Sequence, residues 1–234
     1  MTNGAPRLDE LGRLVGDPSR VAILSALMDG RAWTGRELAT FAHVSASTAS
    51  AHLHRLLKGK LLTVVSQGRN CYYRLASPAI AGALESLMVL APNASPRHPS
   101  ERRIAADLAA ARLCYDHLAG RLGVVLADSL LRAGAVTLFE GSGAITERGT
   151  ELFRRLEILP VERNGRPPCR PCLDWSERRP HIAGALGAAL AWLATERGWV
   201  RRKKESRALT VTQRGVTAFR ESFGIDTTLL TPED

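Results

Sequence analysis

Long apolar runs are missing from this chain. Nowhere do the roughly 18 consecutive apolar residues of a membrane-spanning helix occur, so none is expected. The opening segment, "MTNGAPRLDELGRLVGDPSR", has no apolar block and carries acids early, which points away from a secretory signal and toward the cytoplasm. Cysteine is scarce, at 4 in 234 residues, too few for a disulfide scaffold. Aromatics make up only 5%. No glycine-rich phosphate loop, nucleophile elbow or spaced carboxylate pair is found, which leaves enzymatic chemistry with little support. Acidic residues are also in deficit. Lys+Arg number 32 against 23 Asp+Glu, for a net charge of +9 and a pI near 10.1. That balance suits a polyanion partner, although an arginine-rich composition alone produces it too.

What is present is ordinary globular material, 45% apolar and 24% charged, and rich in Ala, Leu, Gly and Arg, which favour helices. The length allows one large domain or two small ones. Residues 8–90 read as four helices and a hairpin. Asp17-Pro18 opens a helix with Asp as N-cap and Pro at the first helical position. Its apolar positions are Val21, Leu24, Leu27 and Met28. In "TGRELATFAHV", Thr34 and Glu37 stand in capping-box register. Ser45 caps the next helix, whose apolar face is Ala49, Leu53, Leu56 and Leu57, with Gly59 as its end. "LLTVVSQGRNCYYRL" alternates as two strands around a turn. "APNASPRHPS", with its three prolines, reads as a linker over 93–100, between a domain of residues 1–92 and a second of 101–234. A helical pattern then runs from Glu101 to about Arg132.

Two helices across a short turn, followed by a β-wing, form a DNA-reading geometry in which the second helix enters the major groove. With its apolar face removed, that helix presents Ser47, Thr48, Ser50, Ala51, His54, Arg55 and Lys58. Short hydroxyls near its start suit phosphates and base edges, helped by the positive end of the helix. Arg55 and Lys58 are placed for phosphates. Gln67 and Arg69 lie at the wing tip, where an arginine can enter a minor groove. The segments "GDPSRVAILSALMDG", "TGRELATFAHVSASTASAHLHRLLKGKLL" and "SQGRNCYYRL" resemble the ArsR-type (arsenic-repressor-like) winged helix-turn-helix regulators. The residues carrying the resemblance are Ser45, Thr48, Ser50, His52, Leu53 and Leu56, with Gly68 to Leu75 in the wing. The resemblance covers residues 8–90. It implies a sequence-specific repressor that binds a double-stranded DNA operator as a homodimer until an effector releases it. It also adds Ser45 and His52 to the DNA-contact set, although a helix-packing role is open for His52. The family's cysteine-rich metal motif has no counterpart in "ELATFAHVS".

The second half repeats itself. "HLAGRLGVVLADSLLRAGAV" (117–136) and "HIAGALGAALAWLATERGWV" (181–200) agree at nine of twenty positions without a gap. "ITERGTELF" (145–153) parallels "VTQRGVTAF" (211–219). Each copy, about 114–158 and 172–224, reads as a helix, a hairpin and a second helix, half of a winged helix used twice. The expected fold is therefore mainly α with small β-wings: an N-terminal winged helix-turn-helix and a C-terminal duplicated winged-helix-like domain for regulation or dimerisation. Cys114 and His117 fall three apart on the presumed helix, and Cys169 and Cys172 form C-x-x-C before another. These four are ligand types that zinc or another thiophilic metal accepts. They also fit a thiol sensor of oxidants or electrophiles, or a pocket for a small molecule, and a structural role is the plainest account. Aligned without a gap, Cys114 faces Arg178, so the cysteine is not duplicated, which weighs against metal. Cys71 reads as structural filler in the wing. Trp175, Asp174, Arg178 and Arg179 read as pocket or core furniture, and "RRKKESR" (201–207) as a hairpin tip, either solvated or touching DNA. A ligand- or protein-binding adaptor without DNA is the alternative function, and a thiol-dependent enzyme a weaker one.

Overall fold

The computed structural model describes residues 7–91, 99–158, 166–204 and 206–227. They form two compact units, Met1–Gly82 and Ala83–Asp234. Most of the expected linker, residues 93–98, lies outside the described residues.

The first unit begins with α1 (Leu8–Val15) and α2 (Pro18–Leu27). The Asp17 carboxylate accepts a hydrogen bond from the Arg20 backbone at 2.9 Å, and Pro18 fills the first helical position, as the sequence suggests. A short strand β1 (Trp33–Thr34) leads into α3 (Gly35–Phe41), where Thr34 and Glu37 complete the capping box. Ser45 caps α4 (Ala46–Lys58). Strands β2 (Leu62–Gln67) and β3 (Asn70–Leu75) form the hairpin, and β1 adds to β3 as a third strand. Helix α5 spans Pro78–Leu90. Residues 8–90 thus hold five helices and three strands in place of the expected four helices and a hairpin, and the part of α5 from Ala83 on belongs to the second unit. Ile23, Leu24, Leu27, Leu38, Leu53 and Leu56 form the core of this unit. Val21, expected in that core, is exposed, and Ile23 takes its place.

The second unit opens with α6 (Pro99–Ala110). Next come a hairpin of β4 (Arg112–Cys114) and β5 (His117–Ala119) and then α7 (Gly120–Arg132). A second hairpin, β6 (Val136–Leu138) with β7 (Gly143–Ile145), leads into α8 (Glu147–Arg155). The pattern then recurs. Strands β8 (Arg170–Leu173) and β9 (Pro180–Ala183) precede α9 (Gly184–Glu196). Strands β10 (Val200–Arg202) and β11 (Leu209–Val211) precede α10 (Gln213–Phe223). Each repeat is hairpin, helix, hairpin, helix.

The helix expected over 101–132 is therefore two helices with a hairpin between them. Tyr115 takes a left-handed conformation, φ 61°, and turns the chain. Gly120 does the same at φ 73°, and a side chain there would meet the Ala109 carbonyl oxygen at 2.7 Å. Further on, Thr146 and Thr212 each cap a helix by accepting the N–H of the glycine three residues later, both at 3.0 Å. The same hydroxyls donate to the Gly134 and Gly198 carbonyls at 2.6 and 2.7 Å. This is the physical content of the repeated T-x-R-G. Both repeats share one apolar core, including Leu122, Leu126, Leu130, Leu186, Leu190 and Phe219.

The hairpins also pack reciprocally. A Cβ on Gly123 would lie 3.3 Å from the His181 Cβ, and one on Gly187 would lie 3.1 Å from the His117 Cβ. The charged stretch 201–207 does form the β10–β11 tip, apart from Glu205, which is outside the described residues. Two of its cations turn inward rather than toward a partner. Lys203 pairs with Asp107 at 2.7 Å, and buried Arg207 pairs with Glu85 at 3.1 Å.

Candidate nucleic-acid interface and the cysteine–histidine cluster

Helix α4 divides cleanly by face. Ala49, His52, Leu53 and Leu56 are buried, whereas Ser47, Thr48, Ser50, His54, Arg55 and Lys58 are exposed. At its start, the Ser45 hydroxyl accepts the Thr48 N–H at 3.1 Å and meets the Ser47 and Thr48 hydroxyls at 2.9 and 2.8 Å. Ser45 is exposed but already committed to capping. Gln67 and Arg69 are exposed at the wing tip, where Gly68 at φ 59° makes the turn between β2 and β3. Among the described residues, neither Arg55, Lys58 nor Arg69 is drawn into an ion pair.

His52 departs from this set. Its ring is buried, with Nδ1 3.3 Å from the Arg20 guanidinium and 3.9 Å from the Asp17 carboxylate. Arg20 also donates to the Leu14 and Arg13 carbonyls at 2.7 and 2.6 Å. His52 therefore helps fasten α4 to α1 and α2, the packing alternative left open by the sequence. Arg20 was not foreseen. Its signal was an arginine at an inward position of an otherwise apolar helix. Cys71 also differs from expectation: it is exposed on the wing, with its sulfur 3.7 Å from the Ser66 hydroxyl.

In the second unit, three of the four proposed ligands come together, joined by one that had been missed. Cys114, His117, Cys172 and His181 place one donor atom each within 4.8 Å of all the others. Neither Cys114 nor His117 is on a helix. They are register partners at the end of the β4–β5 hairpin, as Cys172 and His181 are in β8–β9. The cysteine is therefore duplicated after all. The gapless comparison hid this because the second hairpin has six more residues between its Cys and its His. The repeated pattern is R-x-C, then H-x-A-G: Arg112 to Cys114 with His117 to Gly120, and Arg170 to Cys172 with His181 to Gly184.

Cys169 stays outside the cluster. It is fully buried in the shared apolar core, bridged to Gly143, and burial pushes its thiol up to about 11.

Each histidine has its own carboxylate. His117 Nδ1 lies 3.2 Å from Asp116 Oδ1, and His181 Nδ1 lies 3.1 Å from Asp174 Oδ2. The second contact is close enough for an ion pair but is not directed as a hydrogen bond. The carboxylates are anchored in turn. Arg166 grips Asp116 with two hydrogen bonds of 2.6 and 3.0 Å. Asp174 is wholly buried and accepts from Arg112 at 2.9 Å, the Ser176 hydroxyl at 2.7 Å and the Gly120 N–H at 2.7 Å. The Arg112 guanidinium also lies over the Trp175 ring at 4.4 Å.

Burial pushes both carboxyls up. For Asp116 the His117 and Arg166 hydrogen bonds and charges outweigh it and hold the carboxyl at about 2, and for Asp174 the close His181 ring, the Arg112 charge and the Ser176 hydrogen bond hold it well below the usual range. Burial lowers His181, but Asp174 and Cys172 more than offset it and the net shift is upward. A hydrogen bond from Cys114 holds the Cys172 thiol well below its ordinary range and, with burial, lifts that of Cys114 well above it.

The first unit is a winged helix-turn-helix whose α4 turns a basic face outward, the build of a DNA-binding regulator. The chain is similar to several known proteins. A family model described as "Helix-turn-helix domain" matches residues 15–65. An uncharacterized HTH-type transcriptional regulator, YdfF of Bacillus subtilis, is 41% identical over 222 residues, covering 94% of this chain and 98% of its own. The HTH-type transcriptional regulator CmtR of Mycobacterium tuberculosis is 38% identical over 81 residues, 35% of this chain and 68% of its own. An NMR structure of that organism's cadmium metal-sensor CmtR aligns with 39% of this chain and 94% of its own, at 34% identity and a TM-score of 0.32. The chain belongs to the HTH-type transcriptional regulators, with a winged helix-turn-helix as its first unit, and it is a DNA-binding regulator of transcription. Among the described residues no helix is long and apolar enough to cross a membrane.

Proposed function

We propose that the protein is a cytoplasmic homodimeric repressor that reads a palindromic operator through α4 and the wing, and that the second unit receives the releasing effector. The observation that carries the DNA-reading part is the exposed face of α4. Small hydroxyls at its positive end, Ser47, Thr48 and Ser50, are followed by Arg55 and Lys58, free of ion pairs among the described residues. Arg69 extends the same chemistry to the wing tip. One chain supplies one recognition helix, and two half-sites call for two chains. The net charge of +9 supports attraction to a polyanion.

A gel-shift assay on a duplex selected from random DNA tests this reading. Arg55→Ala and Arg69→Ala should each weaken binding by about 1 kcal/mol or more, roughly fivefold. His52→Ala should instead lower the melting temperature of the first unit. Wild-type affinity in both arginine variants would show that the recognition face is misassigned.

A further inference from the structure

We infer that Cys114, His117, Cys172 and His181 form a closed Cys2His2 site for a thiophilic divalent cation of the zinc class, which fastens the two repeats of the second unit to each other. The site is independent of the DNA-reading proposal, and failure of either leaves the other standing.

Four observations carry it. The first is chemistry: two thiols and two imidazoles are a zinc ligand set, gathered with their donor atoms within 4.8 Å of one another. Bond lengths of about 2.3 Å to sulfur and 2.0 Å to nitrogen place the donors of one tetrahedral shell roughly 3.3–3.8 Å apart. The gathered side chains need only a small contraction to meet that.

The second is the arrangement of the imidazoles. Each Nδ1 faces a carboxylate, Asp116 for His117 and Asp174 for His181. A carboxylate there keeps the ring proton on Nδ1 and turns the Nε2 lone pair outward, the usual support of a metal-binding histidine. The two Nε2 atoms face each other at 3.1 Å. Two lone pairs so close repel unless a cation or a shared proton lies between them, and both rings are nearly fully buried, away from water.

The third is the duplication. Each repeat supplies one Cys and one His from the same register pair of its first hairpin, Cys114 with His117 and Cys172 with His181. The reciprocal packing of Gly123 under His181 and Gly187 under His117 brings those hairpin ends together. A metal held two-and-two ties repeat to repeat.

The fourth is closure. Four protein donors, three of them buried, leave no open coordination position, which is the build of a structural rather than a catalytic site.

The full chain, purified with reductant and without chelator, should retain about one equivalent of zinc by elemental analysis. After chelator treatment, Co2+ should give the intense visible bands of four-coordinate cobalt and a thiolate charge-transfer band, both bleached by Zn2+. Cys172→Ser should abolish these bands, and Cys71→Ser should keep them. Asp116→Asn keeps all four ligands, alters only the carboxylate behind His117 Nδ1 and sits in a part-exposed turn, so it serves if the cysteine variant fails to fold; it should weaken Co2+ binding by about tenfold or more. The inference is overturned if wild type retains no metal and gives no tetrahedral cobalt spectrum. It is equally overturned if Cys172→Ser and Asp116→Asn both bind Co2+ as tightly as wild type.

Discussion

At the residue scale, burial decides which charges matter. Asp174 and Arg112 are both fully buried, and Asp174 answers Arg112, His181, Ser176 and Gly120 at once. Asp174→Asn should destabilise the second unit by about 3 kcal/mol or more, because it strands a buried guanidinium. Arg179→Ala removes an exposed partner of Asp128 and should cost less than about 1 kcal/mol. Chemical denaturation followed by circular dichroism measures both, and equal losses would contradict the account. Individual residues were unevenly legible. Asp17, Thr34 and Ser45 could be assigned as caps because a cap depends only on the next three residues. The inward turns of Arg20 and His52 depend on α1, α2 and α4 meeting, and no local pattern encodes that. His181 joins the cluster only when the hairpins are aligned with a six-residue gap, which a gapless comparison does not show.

At the element scale, the repeats depend on close approach of helix to hairpin. A Cβ on Gly123 would lie 2.5 Å from the Leu118 carbonyl oxygen, a backbone atom that cannot swing aside. Gly187 stands in the same relation to Ile182. Gly123→Ala and Gly187→Ala should each cost about 1–3 kcal/mol. Gly82→Ala, in α5 with nothing within 4 Å of the added carbon, should be neutral or slightly stabilising. Thermal melts of the three variants test the contrast, and similar melting for all of them would mean that the helix–hairpin packing is loose. The helix–hairpin–helix part of each repeat was legible because its glycines and T-x-R-G recur in register. The leading hairpins were not. Between Glu101 and Arg132 the composition favours helix throughout, and only the left-handed Tyr115 and Gly120 break it. An Ala- and Leu-rich sequence gives no sign of such a turn.

For the whole molecule, the chain divides its chemistry between two units: exposed cations on the first and a largely buried cysteine–histidine cluster in the second. The winged helix and the exposed face of α4 in the first were largely readable because they are built from consecutive residues with a strong pattern. The second needed three dimensions, since its clustered residues come from hairpins of different length, the two cysteines 58 positions apart and the two histidines 64. The central claim is that α4 and the wing hold DNA through Arg55, Lys58 and Arg69. Its most direct test is the salt dependence of duplex binding by the full chain, measured by fluorescence anisotropy. Log affinity should fall linearly with log salt, and neutralising all three side chains together should reduce the slope by about one for each phosphate that no longer meets a cation. A triple variant with the affinity and salt slope of wild type would contradict the account.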